Sequence, residues 1–456
     1  MKKVILFLSI ISIISCKKEA EVDYAIISGK ILNTEISAIR LMSSDYKFNK
    51  TIAVDREGTF IDTINYLPGI FHFSEGRNYS DLYLSAGDHI ILNYNSKDFK
   101  NSLSITGKGN ESSNYLTKKE NAVANIMGDR KSFYQLQPED FKAKCKKIEE
   151  EVTHIASSYK GLDKAFFNVE KKNIHYNYLY HLNNYESSHS FYTKQPDFKV
   201  PESFLAELDG FDYHNEEDYL NSIYYQYLVQ SYYKSKSIEL ANSSSQDFGV
   251  SFIKSVKEIP NEIIRDALLS EQIEEIKYSD NMGQYYTLFM ETSTNEDDKK
   301  ALTELYEKVK VLAVGEPSPK FVNYINNAGG TTSLDDLKGK YVYVDVWATW
   351  CGPCKAEIPS LKKVEKQYHD KNIEFLSLSI DKIKDHDKWK KMIKDKELGG
   401  VQVLADNAWK SQFVQDYQIK GIPHFILLDP NGNIVKYSAP RPSDKKLIEL
   451  FNSLNI

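Results

Sequence analysis

Cys351 and Cys354 are the residues whose types and spacing most directly suggest chemistry. They stand in the segment WATWCGPCKAEIP, separated only by Gly352 and Pro353. Two such cysteines can bind a metal, staple a loop or exchange electrons as a dithiol. A zinc site needs four ligands, and the last third of the chain offers no second CxxC or nearby His pair, although His424 leaves a copper site open as an alternative. A disulfide across so short a loop removes little entropy from the unfolded chain, so the pattern favours a redox pair.

The elements predicted around the pair would hold it at the start of a helix. YVYVDVWA, which precedes it, is a nearly continuous apolar run typical of a buried strand. Residues 354–369 follow with helical spacing, so the first cysteine is expected at the helix N-terminus, where free N–H groups and the helix dipole favour a thiolate. Strands (IEFLSLSID and VQVLAD), helices over 387–396, 409–417 and 444–454, and the hairpin HFILLDPNGNIVKYS alternate along the rest. This alternation predicts a parallel-containing sheet covered by helices.

These motifs resemble the thioredoxin superfamily, and within it the TlpA/ResA-like branch of exported, membrane-anchored thiol–disulfide oxidoreductases. The resemblance covers about 315–456 and rests on VDVWATWCGPC, on KAEIPSL and on YQIKGIPHFILLDPNGNIV. It implies an α/β thioredoxin fold for residues 314–456. It also implies dithiol chemistry, for which we expect neither a cofactor nor a metal.

The resemblance assigns a role to each part of the motif. Cys351 would be the attacking nucleophile and the exposed thiol, and Cys354 the resolving cysteine that breaks the mixed disulfide. Pro423 would be the family's cis-proline beside the dithiol, a rare and selected feature. The backbone of Ile422 would pair with a substrate strand. Trp350 resembles the aromatic frame of the site.

The expected substrate-binding surface is completed by Gly352 and Pro353, which lie between the cysteines. Trp347 also resembles the family's aromatic frame, although packing alone would explain it.

Two carboxylates match positions of the family. Asp345 matches the buried aspartate of thioredoxins and is expected to end the central strand, pointing under the dithiol. Glu357 matches the active-site glutamate of the TlpA/ResA-like branch and follows Cys354 by three residues, on the same helix face. Either acid is a candidate base for the Cys354 proton; the alternatives are a hydrogen-bonded strand-end acid and an ordinary first-turn acid. Ser377 stands where thioredoxins commonly keep a lysine near the aspartate.

The residues between the cysteines bear on the direction of electron flow. Gly-Pro is the pair of reducing thioredoxins, which have potentials of about -270 mV against about -120 mV for a strong oxidant. We therefore predict a reductase that acts on disulfides of exported proteins, apocytochrome c among them, and is re-reduced by a membrane thiol carrier. The alternatives are a disulfide oxidase or isomerase, or a binding or assembly lipoprotein with an auxiliary redox domain.

The start of the chain predicts export and anchoring. Lys2 and Lys3 precede the apolar run VILFLSIISII, which is too short to span a bilayer and ends at Ser15-Cys16. This ending resembles the bacterial lipobox. We expect residues 1–15 to be a lipoprotein signal peptide, Cys16 to be lipidated, and 16–23 to tether an extracytoplasmic, periplasmic-side protein to the membrane; an ordinary signal with an incidental cysteine is the alternative.

The 456-residue chain is long enough for several domains, and its other segments predict a multidomain protein. Short apolar or alternating runs over 24–109 predict a small N-terminal β domain, a sandwich or barrel, and resemble the β-rich domain of unknown function that often precedes thioredoxin-like domains in bacterial lipoproteins. Helical spacing over 110–313 predicts a central α-helical domain, in which Cys145 is either a spare thiol or a third redox cysteine. The net charge of -6 gives no reason to expect nucleic acid as a partner.

Overall fold

The computed structural model describes residues 22–44, 47–244 and 246–456. The predicted signal peptide, the lipidation at Cys16 and most of the tether lie outside the described residues. Within those ranges, no helix combines the length and the hydrophobicity that crossing a membrane requires. The chain divides into two compact units, one made of the described residues up to Asp212 with Glu217–Leu228, the other of Tyr213–Glu216 with Val229–Ile456.

The first unit begins with two four-stranded sheets. Their elements are β1 (Ala25–Leu32), β2 (Ala38–Ser43), β3 (Asn49–Ala53), β4 (Thr59–Ile64), β5 (Gly69–Glu75), β6 (Asn78–Leu84), β7 (His89–Asn95), α1 (Phe99–Ser102) and β8 (Ser104–Lys108). The sheet orders are β4-β1-β7-β8 and β3-β2-β5-β6. Alternate residues such as Ile27 of β1 and Leu41 of β2 share one apolar core, because successive side chains of a strand point to opposite faces. The β-rich region predicted from the sequence is thus present as a sandwich.

The chain then becomes helical. The helices are α2 (Asn110–Met127), α3 (Arg130–Gln135), α4 (Pro138–Ser158), α5 (Lys164–Thr193), α6 (Glu216–Asn221), α7 (Ile223–Ser244), α8 (Phe248–Lys257), α9 (Glu262–Ser270), α10 (Met282–Thr292) and α11 (Glu296–Val309). Turns of 3-10 helix occupy Ile273–Tyr278 and Lys310–Leu312. Local sequence sets several starts: Pro138 occupies the first turn of α4, where a missing N–H costs no hydrogen bond, and Asn261 caps α9 by accepting from the Ile264 N–H.

The last part of the second unit is an α/β domain. Its elements are β9 (Tyr324–Asn326), β10 (Thr331–Thr332), β11 (Tyr341–Trp347), α12 (Gly352–Gln367), β12 (Ile373–Ser379), α13 (His386–Lys396), β13 (Val401–Leu404), α14 (Gln412–Asp416), β14 (His424–Leu428), β15 (Ile434–Lys436) and α15 (Lys445–Ser453). The sheet order is β10-β9-β13-β12-β11-β14-β15. β11, β12 and β13 are parallel, while β14 pairs antiparallel to β11. The predicted thioredoxin-like fold at the C-terminus is confirmed.

The central strand β11 has apolar side chains on both faces. Val344 and Val346 lie in one core cluster, and Tyr343 lies in another, where it packs with Leu361 and Val364 of α12. A strand that is buried on both faces has apolar residues at nearly every position. This explains why YVYVDVWA lacks the alternation of apolar and polar residues that a half-exposed strand shows. This burial fixes the position of the turn that follows the strand.

The segment that enters the α/β domain is attached to its far edge. Gly315 N–H donates to the carbonyl of Ile434 at 2.8 Å. Leu312, which precedes it, is fully buried in the same core cluster as Val344. The entry to the domain is therefore part of its packed structure.

Candidate active site

The two cysteines of the motif form a disulfide at the start of α12. β11 ends at Trp347, a short turn follows, and Cys351 is the N-cap of the helix that begins at Gly352. The Cys351 Sγ accepts a hydrogen bond from the Cys354 backbone N–H at 3.1 Å, and the Cα atoms of the two residues are 5.3 Å apart. Pro353 fits the first turn because its missing N–H would have no helical acceptor there. The Cys351 sulfur thus lies where a free N–H and the helix dipole stabilise negative charge.

The expectation that Cys351 is an exposed thiol is wrong for this oxidised state. Cys351 and Cys354 are only 4% and 5% exposed. Each sulfur is partly covered by the other, and both side chains pack into the apolar core of the domain. The surface around them is supplied by Trp350, which is 52% exposed, and by the exposed Gly352 and Pro353.

The cis-proline loop, defined here as Gln418–Pro423, precedes β14. Its Ile422–Pro423 peptide bond is cis, as expected. The next residue, His424, pairs with Val346 near the end of β11, so the loop adjoins the end of the sheet from which the chain leads to the disulfide. Ile422 makes no backbone hydrogen bond to any other residue in the described ranges. Its N–H and carbonyl are therefore available to another strand.

His424 is a neutral residue of this region. Its Nε2 lies 3.0 Å from the carbonyl oxygen of Tyr437, to which it donates a hydrogen bond. Burial lowers the pKa of His424 to about 4. Across the described part of the chain, no three His, Cys, Asp or Glu side chains are grouped as metal ligands.

Asp345 lies inside β11 and does not end it, which corrects the expectation from the sequence. The strand continues through Trp347 because its apolar residues remain paired with β12, Trp347 lying opposite Ser379. Asp345 itself is opposite Ser377, so a serine hydroxyl occupies the register position where a lysine was expected in thioredoxins. Along the strand Asp345 alternates onto the face of Tyr343, which packs beneath α12.

The surroundings of the Asp345 carboxyl group favour its protonated form over its ionised form. Its Oδ1 atom is enclosed and has no hydrogen-bond partner among the residues that the structure describes. Burial, followed by the charges of Glu365 and Glu357, raises the pKa of Asp345 to about 8. Burial also raises the pKa of Glu365 to about 7, against the opposing charge of Lys362. The sequence analysis did not single out Glu365, because nothing in the sequence around it distinguishes it from a solvent-exposed acid on a helix.

Glu357 is fixed by the start of the last helix. Its Oε2 accepts a hydrogen bond from the Ser443 backbone N–H at 3.0 Å, and its Oε1 accepts one from the Ser443 hydroxyl at 2.9 Å. Both carboxylate oxygens are thus engaged in the oxidised state. Each of these oxygens retains a second lone pair that can accept a further hydrogen bond, directly or through a water.

A buried network that the sequence analysis missed holds the turn before Cys351. The Asp381 carboxylate is fully buried and accepts hydrogen bonds from the Thr349 backbone N–H at 2.9 Å and the Thr349 hydroxyl at 2.8 Å. The Ser379 hydroxyl donates to the same carboxylate at 2.8 Å. The sequence feature that could have indicated this network is an acid directly after the strand segment IEFLSLSI. An acid that is buried there needs hydrogen-bond partners.

Two residues weighed from the sequence are explained by packing. Trp347 is 2% exposed and belongs to the domain core, as its alternative interpretation allowed. Cys145 is buried in α4 of the first unit, and burial raises the pKa of its thiol to about 12. Its thiol is therefore protonated at neutral pH and unreactive as a nucleophile.

Comparisons with known proteins identify the class. A family model described as Redoxin matches residues 313–450. The Thiol-disulfide oxidoreductase ResA of Bacillus subtilis is 30% identical over 143 residues, covering 31% of this chain and 75% of that protein. The Thioredoxin-like protein YneN of the same organism is 31% identical over 134 residues, covering 29% of this chain and 76% of that protein. Through its C-terminal domain, the chain belongs to the family of thioredoxin-like thiol–disulfide oxidoreductases.

Not every relative is spanned to the same extent. The chain covers 53% of the length of the ResA of Oceanobacillus iheyensis, to which it is 30% identical over 129 residues, or 27% of this chain. Among solved structures, the thioredoxin domain of a thiol-disulfide oxidoreductase from Bacteroides vulgatus is 34% identical with a TM-score of 0.29, the match covering 31% of this chain and 98% of that one.

Proposed function

We propose that the protein is a lipid-anchored, extracytoplasmic reductase of protein disulfides that works through the Cys351–Cys354 dithiol. The observation that carries the proposal is the position of the Cys351 sulfur at the N-terminus of α12, where it accepts the Cys354 N–H. This environment favours the thiolate, which is the attacking form of a cysteine. The open backbone of Ile422, in the cis-proline loop that adjoins the end of β11, supplies a place for the substrate chain.

The reaction transfers two electrons from the dithiol to the substrate. The Cys351 thiolate attacks one sulfur of a substrate disulfide, so that the substrate S–S bond breaks, a mixed disulfide forms and one substrate thiolate leaves. The Cys354 thiolate then attacks the Cys351 sulfur, releases the second substrate thiolate and closes the intramolecular disulfide. Both substrate thiolates take up protons, and the protein is left in the oxidised form described above.

Resolution also requires a base that accepts the proton of Cys354. Asp345 is the acid whose pKa, about 8, lies close to that of an ordinary thiol. Proton transfer between groups of similar pKa costs little free energy. Asp345 in its ionised form is therefore the proposed acceptor, with Glu357 as the second candidate.

The direction of electron flow rests on Gly352 and Pro353, the pair typical of reducing thioredoxins. Regeneration of the dithiol requires a second dithiol as electron donor, which we assign to a membrane carrier of that chemical class. The substrates we propose are disulfides of exported proteins, apocytochrome c included. The lipid anchor on Cys16 would hold the protein at the membrane.

The test combines a potential with a set of cysteine variants of the full chain. The Cys351–Cys354 couple should equilibrate nearer to about -270 mV than to about -120 mV, and the reduced protein should reduce insulin. Cys351→Ser should abolish this activity, whereas Cys354→Ser should accumulate a mixed disulfide that identifies the natural substrate. Cys145→Ala is the matched control and should retain the native rate. A potential near the oxidising value, or loss of turnover in a folded Cys145→Ala protein, would contradict the proposal.

A further inference from the structure

A cavity of about 260 Å³ adjoins the cis-proline loop. Pro423 and His424 line it, as does Arg441, which follows β15. Lys277 and Tyr278 also line it, although they belong to the 3-10 turn Ile273–Tyr278 in the helical part of the second unit. Residues from two distant stretches of the chain therefore enclose a space that is lined by Gly421 and Pro423, the two neighbours of Ile422.

The helical turn is held against the α/β domain by specific contacts. Glu274 forms an ion pair with Lys420 of the cis-proline loop at 3.4 Å. The ring of Tyr278 lies 5.8 Å from the ring of Tyr437. Two residues after Tyr278, Asp280 forms an ion pair with Lys436 of β15. These contacts place the turn along one side of the cavity.

The charge of the cavity has one sign. Its ionised lining side chains are Lys277, Lys420 and Arg441, and no aspartate or glutamate lines it among the described residues. The nearby Glu274 pairs with both lysines and compensates one of the three positive charges. Lys420 and Arg441 are exposed, so their charges can attract an approaching anion before contact.

We infer that this cavity is a substrate subsite that selects acidic polypeptide segments, with the helical turn as its second wall. The inference rests on the proposed function. A substrate strand that pairs with Ile422 would carry aspartate or glutamate side chains close to its disulfide, facing Lys420 and Arg441. Tyr278 would pack against the strand irrespective of its charge.

The experiment uses the full chain, reduced beforehand with dithiothreitol and freed of it, in single turnover. Two peptide disulfides are compared that differ only in whether aspartate or lysine flanks the cysteines. At low ionic strength we expect the second-order rate constant to be roughly tenfold higher for the aspartate peptide. In 1 M salt the ratio should approach one, because screening then acts over about 3 Å. Equal rates at low ionic strength would overturn the inference.

Variants locate the effect. Lys420→Gln and Arg441→Gln remove exposed charges, and each should reduce the aspartate-to-lysine ratio by roughly threefold. Tyr278→Ala should slow both peptides alike and leave the ratio in place. Lys390→Gln, an exposed lysine of α13 outside the cavity, is the control and should keep the native ratio. A ratio unaffected by both cavity substitutions, or lowered equally by Lys390→Gln, would contradict the assignment of the cavity.

A neutral disulfide separates this inference from the proposed function. If the reduced chain fails to reduce oxidised mercaptoethanol, the reductase proposal fails and the subsite inference falls with it. If the neutral compound is reduced while the two peptides react equally at low ionic strength, only the subsite inference fails.

Discussion

Asp345 keeps a carboxyl group within the central strand β11 and beneath α12. Burial there makes the ionised form costly, and the acidic Glu365 adds to that cost. The same two causes make Asp345 a stronger proton acceptor than an exposed carboxylate, once it is ionised. The proposed function requires Asp345 to ionise, whereas the stability of the fold favours its protonated form. Each effect can be measured.

The kinetic effect concerns resolution of the mixed disulfide. Asp345→Asn should slow release of the reduced substrate by about a hundredfold, as expected for loss of a general base, while the initial attack by Cys351 changes less. Glu357→Gln should slow release to a smaller extent, because the two hydrogen bonds from Ser443 hold the Glu357 carboxylate toward the start of α15. The double variant should be slower than either. Stopped-flow kinetics with a fluorescent disulfide measures both steps.

The control for these kinetics is Glu449→Gln, an exposed acid of α15 that should leave both rates native. Resolution at the native rate in both Asp345→Asn and Glu357→Gln would exclude these carboxylates as the base.

The stability effect concerns pH. The pKa of Asp345 is about 4 in the unfolded chain and about 8 in the folded one, so between these pH values the unfolded state binds fewer protons. The group's contribution to stability is therefore lost as the pH rises through this window, at up to about 1.4 kcal/mol per pH unit. Asp345→Asn should remove that fall and gain stability relative to the native protein from pH 5 to pH 8.

Guanidinium unfolding followed by tryptophan fluorescence measures this effect in the right part of the molecule, because all four tryptophans follow residue 346. Glu449→Gln should track the native curve. A variant curve parallel to the native one between pH 5 and pH 8 would show that Asp345 does not titrate as argued.

At the scale of elements, the turn between β11 and α12 decides where the disulfide lies. Its Thr349 is bound through both backbone and side chain to the carboxylate of Asp381, which follows β12. Two neighbouring strands of the sheet are thereby joined at the end from which the chain leads to the cysteines. Asp381 is a positioning residue, because it acts on the site through Thr349.

Thr349→Val should destabilise the domain by about 1–3 kcal/mol, since it leaves one buried Asp381 oxygen without its donor. Thr349→Ser restores the hydroxyl and should recover most of the loss. Denaturation midpoints give the stability, and the potential of the Cys351–Cys354 couple reports whether the turn still positions the pair. A Val variant as stable as the Ser variant would argue against the buried network.

Sequence patterns predicted the long elements of the α/β domain because each has a clear period or an uninterrupted apolar run. They did not predict β9 and β10, whose three and two residues are too few to show any period. They identified Asp345 and Glu357 through the family position, but not the Ser443 contact or the Asp381 network. Those depend on which distant residues the fold brings together, and a single sequence carries no direct record of that.

At the scale of the whole molecule, the prediction of anchoring falls on residues outside the described ranges and remains to be tested. Cys16→Ser should release the protein from the membrane fraction, because the acyl chains that hold a lipoprotein in the bilayer can no longer be attached. Cell fractionation measures this, and the purified variant should reduce insulin at the native rate. Persistent membrane association of the Ser variant would count against lipidation at Cys16.

The burial of Leu312 has a consequence for modularity. Although it precedes Gly315 and the entry segment, its side chain fills part of the same core as Val344 and Trp347. A fusion protein that carries only the residues from Gly315 onward would lack the Leu312 side chain and leave that space empty. Emptying a buried leucine site typically lowers the free energy of unfolding by about 2–5 kcal/mol. A stable fragment that contains the α/β domain therefore has to include Lys310–Leu312, the 3-10 turn that ends the helical region.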